Sequence, residues 1–302
     1  MKILVTGKHG QLATSLAEVA DGMPHVTLIR AGRPELDLAD PSSIPDAIAA
    51  AKPDVVVSAA AYTAVDRAED EQDLAYRINV VGAAGVAEAA TQLHLPIIHV
   101  STDYVFSGDA PDPYLEDDEA EPRTVYGYTK LRGEHAVASA NPKHVILRTS
   151  WVYSPFGTNF VRTMLRLAAE RRTVNVVADQ WGNPTNALDL ARAIIHVATH
   201  SARDRPTGVF HVTGTGETNW AGFARHIFQA SRAMGGPAAD VCDITSADYK
   251  AKARRPPNSR LSCDKFERTF GWRAPAWQAS TDAVVRRIVE ADYRGFMMQA
   301  SE

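Results

Sequence analysis

KILVTGKHGQLA, Lys2 to Ala13, changes character in its middle. The first five residues form the apolar run of a buried strand, and a helix is expected from about Gln11 to Ala20. Between them stand Gly7 and Gly10, in a Gly-x-x-Gly-x-x-Ala spacing. Glycine there lets the backbone approach a pyrophosphate, and the helix start offers free N–H groups and the positive end of its dipole. Ala13 is small enough for the helix to lie close on the strand. A glycine turn also serves sterics alone, so the meaning of the loop depends on the rest of the chain.

Beyond the first helix the pattern alternates. Apolar runs at 26–29, 54–60, 96–102 and 144–150 read as strands, separated by helical patterns at 41–51, 72–93 and 126–139. Strands that are apolar throughout and divided by helices make a parallel sheet covered on both faces. The expectation is an α/β fold: a Rossmann-like doubly wound parallel sheet with a smaller, mostly helical C-terminal substrate-binding part. Residues 1–155 are assigned to the dinucleotide-binding domain and 156–302 mainly to the substrate part, the sheet being rejoined by about 180–215. Beyond Trp151, helices fit 159–171, 187–199, 219–233, 263–270 and 276–295, and strands fit 173–177 and 208–214. Ligands of such sheets bind at the carboxyl ends of the strands.

The bulk composition narrows the classes of function. A chain of 302 residues with 45% hydrophobic content can bury a large core. Its formal net charge of -4 gives no basic footprint for nucleic acid. Two cysteines, Cys242 and Cys263, without a Cys-x-x-Cys pair, point to a reducing, cytoplasmic setting and away from a disulfide frame or zinc site. Apolar stretches are too short or too broken to span a membrane. The acidic run Asp112–Pro122 reads as a solvated loop.

Cofactor choice is read at the end of the second strand. NAD sites place an acid about 20 residues past the loop, on the ribose 2′-hydroxyl. Here that place holds Arg30, with Arg33 nearby and no carboxylate before Glu35. Guanidiniums suit a 2′-phosphate, so NADPH is favoured and NADH stays open. Asp37 and Leu38 could lie along the adenine by position, and the small residues of SAAAYT, 58–63, leave room for a dinucleotide or merely pack tightly.

TVYGYTKLRGEHAV, 124–137, carries the chemistry. On a helix Tyr126 and Lys130 are four apart and share a face, while Tyr128 points elsewhere. A phenol titrates near 10, and a neighbouring ammonium is expected to lower that value and make Tyr126 a general acid. The pair alone recurs by chance in many helices. Thr102, ending the fourth strand in HVSTDYVFSG, could donate to a carbonyl oxygen, though Ser101, Thr102 and Asp103 also suit plain turn chemistry.

Together TGKHGQLA, STDYVF, VYGYTKLRGE and RTSWVY resemble the extended short-chain dehydrogenase/reductase family, and 164–191 and 254–272 extend the likeness over nearly the whole chain. The resemblance implies NAD(P)H-dependent reduction of the 4-keto group of a dTDP-sugar, dTDP-4-dehydro-L-rhamnose, to the alcohol. It implies Gly10, Gln11 and Leu12 at the cofactor phosphates and Ala61, Tyr62 and Thr63 along the cofactor. Thr102, Tyr126 and Lys130 match the catalytic trio; Thr102 and Asp103 would touch the sugar, Trp151 would pack on its ring, and Asn258 and Ser259 would approach the nucleotide. Some members hold magnesium through glutamates at a dimer interface. This chain has Ser15 and Asp189 near the matching places, so no catalytic metal is expected, and a homodimer stays open. Relatives that epimerise or dehydrate nucleotide sugars, or that only bind NADP as regulatory subunits, are the alternatives.

Overall fold

A computed structural model describes residues 1–199 and 206–293. Five strands, β1 (Lys2–Thr6), β2 (Thr27–Ala31), β3 (Val55–Ser58), β4 (Ile97–Thr102) and β5 (His144–Thr149), join the strand Gly208–His211 in one sheet. Reading across from that last strand, the order is β5, β4, β3, β1, β2, and every pairing is parallel. The chain turns to opposite sides after β1, so β1 and β3 flank the crevice where a dinucleotide lies in this topology.

Side chains alternate between two cores, which is why the strands read as unbroken apolar runs. On one face Ile3, Val5, Val55, Val57 and Leu147 meet the helices α1 (Gln11–Asp21) and Ala187–Thr199. On the other, Leu4, Val56 and Ile97 meet Ile44, Ile48 and Val86. A third core joins Phe160–Glu170, Trp220–Arg232 and Trp277–Asp292 around Phe223, Ile227 and Val285, beside the paired strands Thr173–Val177 and Asp240–Ile244. Residues 294–295 of the helix expected at 276–295 lie outside the described residues. No described helix is long and apolar enough to cross a membrane.

Two expectations need correction. The single helix expected over 72–93 is three pieces: α-helix at Gln72–Tyr76, a wider π-turn at Arg77–Gly82 and α-helix again at Ala83–Gln92. The widened turn places Asn79 inward, where it is 2% exposed, and such turns recur at functional sites. Nor is the acidic run simply solvated. Tyr114 is buried and its hydroxyl accepts from the Gly108 and Ala110 N–H groups, while Glu116 accepts from the His211 N–H. Asp117, Asp118, Glu119 and Glu121 remain exposed.

Candidate active site

The loop after β1 has the shape its glycines allow. Gly7 has φ +103°, a conformation that L side chains rarely adopt, and open space lies where a Gly10 Cβ would stand. No side chain caps α1, and its first turn holds no acid. The helix start therefore keeps free N–H groups and an uncompensated dipole, as an anion needs. Gln11 contributes differently from expectation: its side-chain oxygen accepts from Ser154 Oγ and Asn159 Nδ2, tying α1 to the loop at 154–159. Leu12 packs on the core beneath.

At the end of β2 the exposed Arg30 donates to the Lys8 carbonyl at 3.0 Å. Lys8 in turn pairs with Glu35 and donates to the Arg33 carbonyl. Lys8 is thus a third cation at this corner, missed in the sequence because it stood inside the glycine loop. Asp37 spends its carboxylate on the Ala39 N–H of its own turn. Leu38 is buried, its backbone against Gly82, which has no room for a Cβ.

The wall after β3 is fixed by Asn79. Its side chain accepts from the Tyr62 N–H at 2.8 Å and donates to the Tyr62 carbonyl and to Thr129 Oγ1. Thr129 passes its own proton to the Tyr126 carbonyl. Ala61 is half-buried, Thr63 is exposed, and the Tyr62 hydroxyl donates to Glu71. One buried amide thus joins the wall expected along the cofactor to the helix Val125–Ala140. The sequence hides it because asparagine inside a helical pattern carries no chemical signature.

That helix starts on a Thr124 cap, whose hydroxyl accepts from the Gly127 N–H. Tyr126 comes to Thr102 at the end of β4, whereas Tyr128 is 50% exposed. Thr102 Oγ1 donates to Asp103 Oδ1 at 2.9 Å and accepts from the Tyr104 N–H. Burial pushes the Asp103 carboxyl up to about 6; Ser259 and Thr102 act against that rise, although Oδ2 closes no hydrogen bond. Ser101 Oγ and Thr149 Oγ1 are likewise buried without partners at this strand edge. An uncapped helix and three orphaned oxygens at one sheet edge fit a large polar ligand.

Lys130 behaves otherwise than the spacing suggested. The residue is 2% exposed, and its ammonium donates to the Val100 carbonyl at 2.8 Å and to His99 Nε2 at 3.3 Å. Burial brings its pKa down to about 8, with Glu134 acting the other way. Burial also drives Tyr126 up to about 12, against the Thr102 hydroxyl and with the help of Asp103. The expected lowering is thus outweighed by burial, and the lysine charge is directed into the strand.

Trp151 has φ +48°, rare for a bulky residue, and stacks on Trp220 with ring centres 3.5 Å apart and planes 8° from parallel. Its indole lies against Gly182, where a Cβ would not fit. Backbone strain of this kind collects at binding sites. Asn258 is occupied elsewhere, donating to the Ala110 and Asp112 carbonyls and accepting from Arg260. Ser259 is buried beside Asp103. At the two positions weighed for a metal, Asp189 pairs with Arg192 and accepts from Ser280, and Ser15 Oγ is buried. No group of three or more metal-binding side chains occurs among the described residues.

Known proteins share this arrangement of elements. A family profile described as RmlD substrate binding domain matches residues 1–290. A dTDP-4-dehydrorhamnose reductase of Sinorhizobium fredii is 50% identical, over 96% of this chain and 97% of its own. The crystal structure of a dTDP-4-dehydrorhamnose reductase from Clostridium acetobutylicum superposes with TM-score 0.89 at 37% identity, over 95% of this chain and 99% of that one. One from Bacillus anthracis, in complex with NADP, gives TM-score 0.88 at 33% identity, with the same coverage.

Proposed function

The chain belongs to the RmlD substrate-binding-domain family, and from that premise we propose that it reduces the 4-keto group of dTDP-4-dehydro-L-rhamnose to give dTDP-L-rhamnose. The observation that carries the reading is near-full-length identity of 50% to such a reductase. The corner of Thr102, Tyr126 and Lys130 at the sheet's carboxyl edge supplies matching chemistry. It is an NAD(P)H-dependent oxidoreductase, and the bound cofactor supplies the hydride that adds to C4.

The residues of the chain do the rest. The free N–H groups at the start of α1 hold the pyrophosphate, and Arg30, with Lys8 and Arg33 beside it, takes a 2′-phosphate. These cations favour NADPH over NADH. Thr102 holds the carbonyl oxygen once its proton leaves Asp103 for the substrate. Tyr126, protonated at neutral pH as phenols ordinarily are, gives its phenolic proton to the oxygen as the alcohol forms. Lys130 retains one N–H beyond its two strand bonds for the nicotinamide ribose. The half-buried Trp151, held by its stack on Trp220, would border the deoxysugar, as would Asp103 and Ser259. Dehydration of a nucleotide sugar would need a second acid or base beside Tyr126, and the carboxylate at that corner, Asp103, is bonded to Thr102.

The test is NADPH consumption with dTDP-4-dehydro-L-rhamnose, followed at the dihydronicotinamide absorbance, beside other 4-keto nucleotide sugars. Turnover is expected with the rhamnose precursor; none with it, or faster turnover of another sugar, would overturn the reading. In calorimetry, Arg30→Ala should weaken NADPH binding by about 1–3 kcal/mol, the range for a hydrogen bond to a charged group, and leave NADH nearly unchanged. Equal weakening of both would remove Arg30 from the phosphate site.

A further inference from the structure

His99 lies in the middle of β4, 1% exposed, between the buried aliphatics Ile97 and Ile98 and the half-buried Val100. Both ring nitrogens are used. Nε2 meets Lys130 Nζ at 3.3 Å and Nδ1 meets Ser58 Oγ at 3.1 Å, Ser58 being directly across from His99 on β3. An ammonium has no lone pair to offer, so Nε2 can only accept from it. The ring proton therefore sits on Nδ1 and goes to Ser58. Burial first, and the Lys130 charge second, hold this imidazole well below its ordinary range, so it stays a neutral acceptor.

We propose that His99 is the positioning residue for Lys130: a neutral imidazole, fixed in one tautomer by Ser58, that keeps the buried ammonium charged and turned so that its remaining N–H serves the cofactor. Carrying a cation into a protein interior is costly unless acceptors replace its water. Here the Val100 carbonyl and His99 replace it. On its own helix Tyr126 stands one turn earlier and Glu134 one turn later, the latter held by Arg148 of β5. Glu134 favours the charged lysine, but its charge is shared with the guanidinium. His99 is thus the side chain placed to accept directly from the ammonium.

The inference rests on the reductase reading for its meaning but is tested first without turnover. In cofactor-free protein labelled with ¹³C-lysine, the Lys130 Cε resonance, assigned with Lys130→Arg, is followed against pH. His99→Phe should move its midpoint down by about one pH unit, since one unit corresponds to the loss of a single charge-assisted bond. His99→Gln, whose amide oxygen accepts, should restore most of it. Ser58→Ala, a small change suited to the case that His99→Phe does not fold, should move the midpoint in the same direction by less. In the enzyme, the alkaline limb of the kcat/KM profile and of NADPH affinity should follow the same order. A purely structural histidine would lower the amount of active protein at every pH and leave the midpoint in place. An unmoved midpoint in His99→Phe or in Ser58→Ala, or no recovery in His99→Gln, overturns the proposal. Failure of the wild-type enzyme to turn over would defeat the substrate reading alone, since the resonance titration needs no substrate.

Discussion

The helices Val125–Ala140 and Trp220–Arg232 are buried to similar extents by opposite means. The second turns Ala221, Phe223, Ala224, Ile227 and Phe228 inward and keeps Arg225, Gln229 and Arg232 outside. The first turns in Gly127, Thr129, Lys130, Gly133 and Glu134, with Val137 as its buried large aliphatic. Its two glycines bring the backbone against the Tyr104 and Asn79 carbonyls, where no Cβ would fit. Its polar side chains end on Asn79, His99 and Arg148. Apolar packing tolerates small changes of shape, because the hydrophobic effect has no direction. A helix held by directed bonds has one allowed position, which suits the element that carries Lys130 and the acid proposed at Tyr126.

The largest break in that comparison should come at Arg148. Its guanidinium holds Glu134 through three hydrogen bonds, both groups are buried, and Phe106 lies under it at 5.0 Å. Arg148→Met should cost about 3–5 kcal/mol in urea unfolding, because it strands a buried carboxylate. The double change with Glu134→Leu should recover much of that loss. If the double variant is no more stable than the single one, the pair is not what fixes the helix.

Next comes Tyr126→Phe, which removes one oxygen and leaves the helix packing alone. A loss of at least about 10²-fold in kcat is expected, the ordinary contribution of a general acid, with NADPH affinity and melting temperature nearly unchanged. Tyr128→Phe should keep most activity, and the reverse order in steady-state kinetics would assign the proton to the exposed phenol.

The smallest effect belongs to the apolar helix. Ile227→Val should cost about 0.5–1.5 kcal/mol and leave kcat and KM unchanged. A kinetic effect there equal to that of Tyr126→Phe would mean the two helices are not held differently after all.

The same contrast explains what could be read in the sequence. Strands β1, β3, β4 and β5 were legible because both their faces are covered, so apolar residues fill most of their positions. Tyr126 was separable from Tyr128 by helical period alone. His99 was hidden by that same logic, since one histidine in PIIHVST does not disturb an apolar pattern. Asn79 and its widened turn were hidden because one residue more per turn leaves composition unchanged. The direction of Lys130 could not be read because period gives a shared face, not a rotamer. The burial of Tyr114 and Glu116 depends on Leu261 and His211, partners far along the chain.

The strand Gly208–His211 sets the order in which this protein can be completed. It lies outside β5, pairing from Gly208↔Val145 to His211↔Arg148, yet the stretch 150–207 must be synthesised between them. Until then β5 presents a bare row of backbone donors and acceptors, with Val145 and Leu147 beside it, and an open strand edge templates association with other chains. A fragment ending near residue 155 holds the glycine loop and the whole helix Val125–Ala140 and still lacks its border. The helix Ala187–Thr199, which covers α1, is missing from it as well. Closure of the nucleotide-binding sheet is a late, long-range event, the slow kind of contact in folding, so the first half of the chain waits on the second.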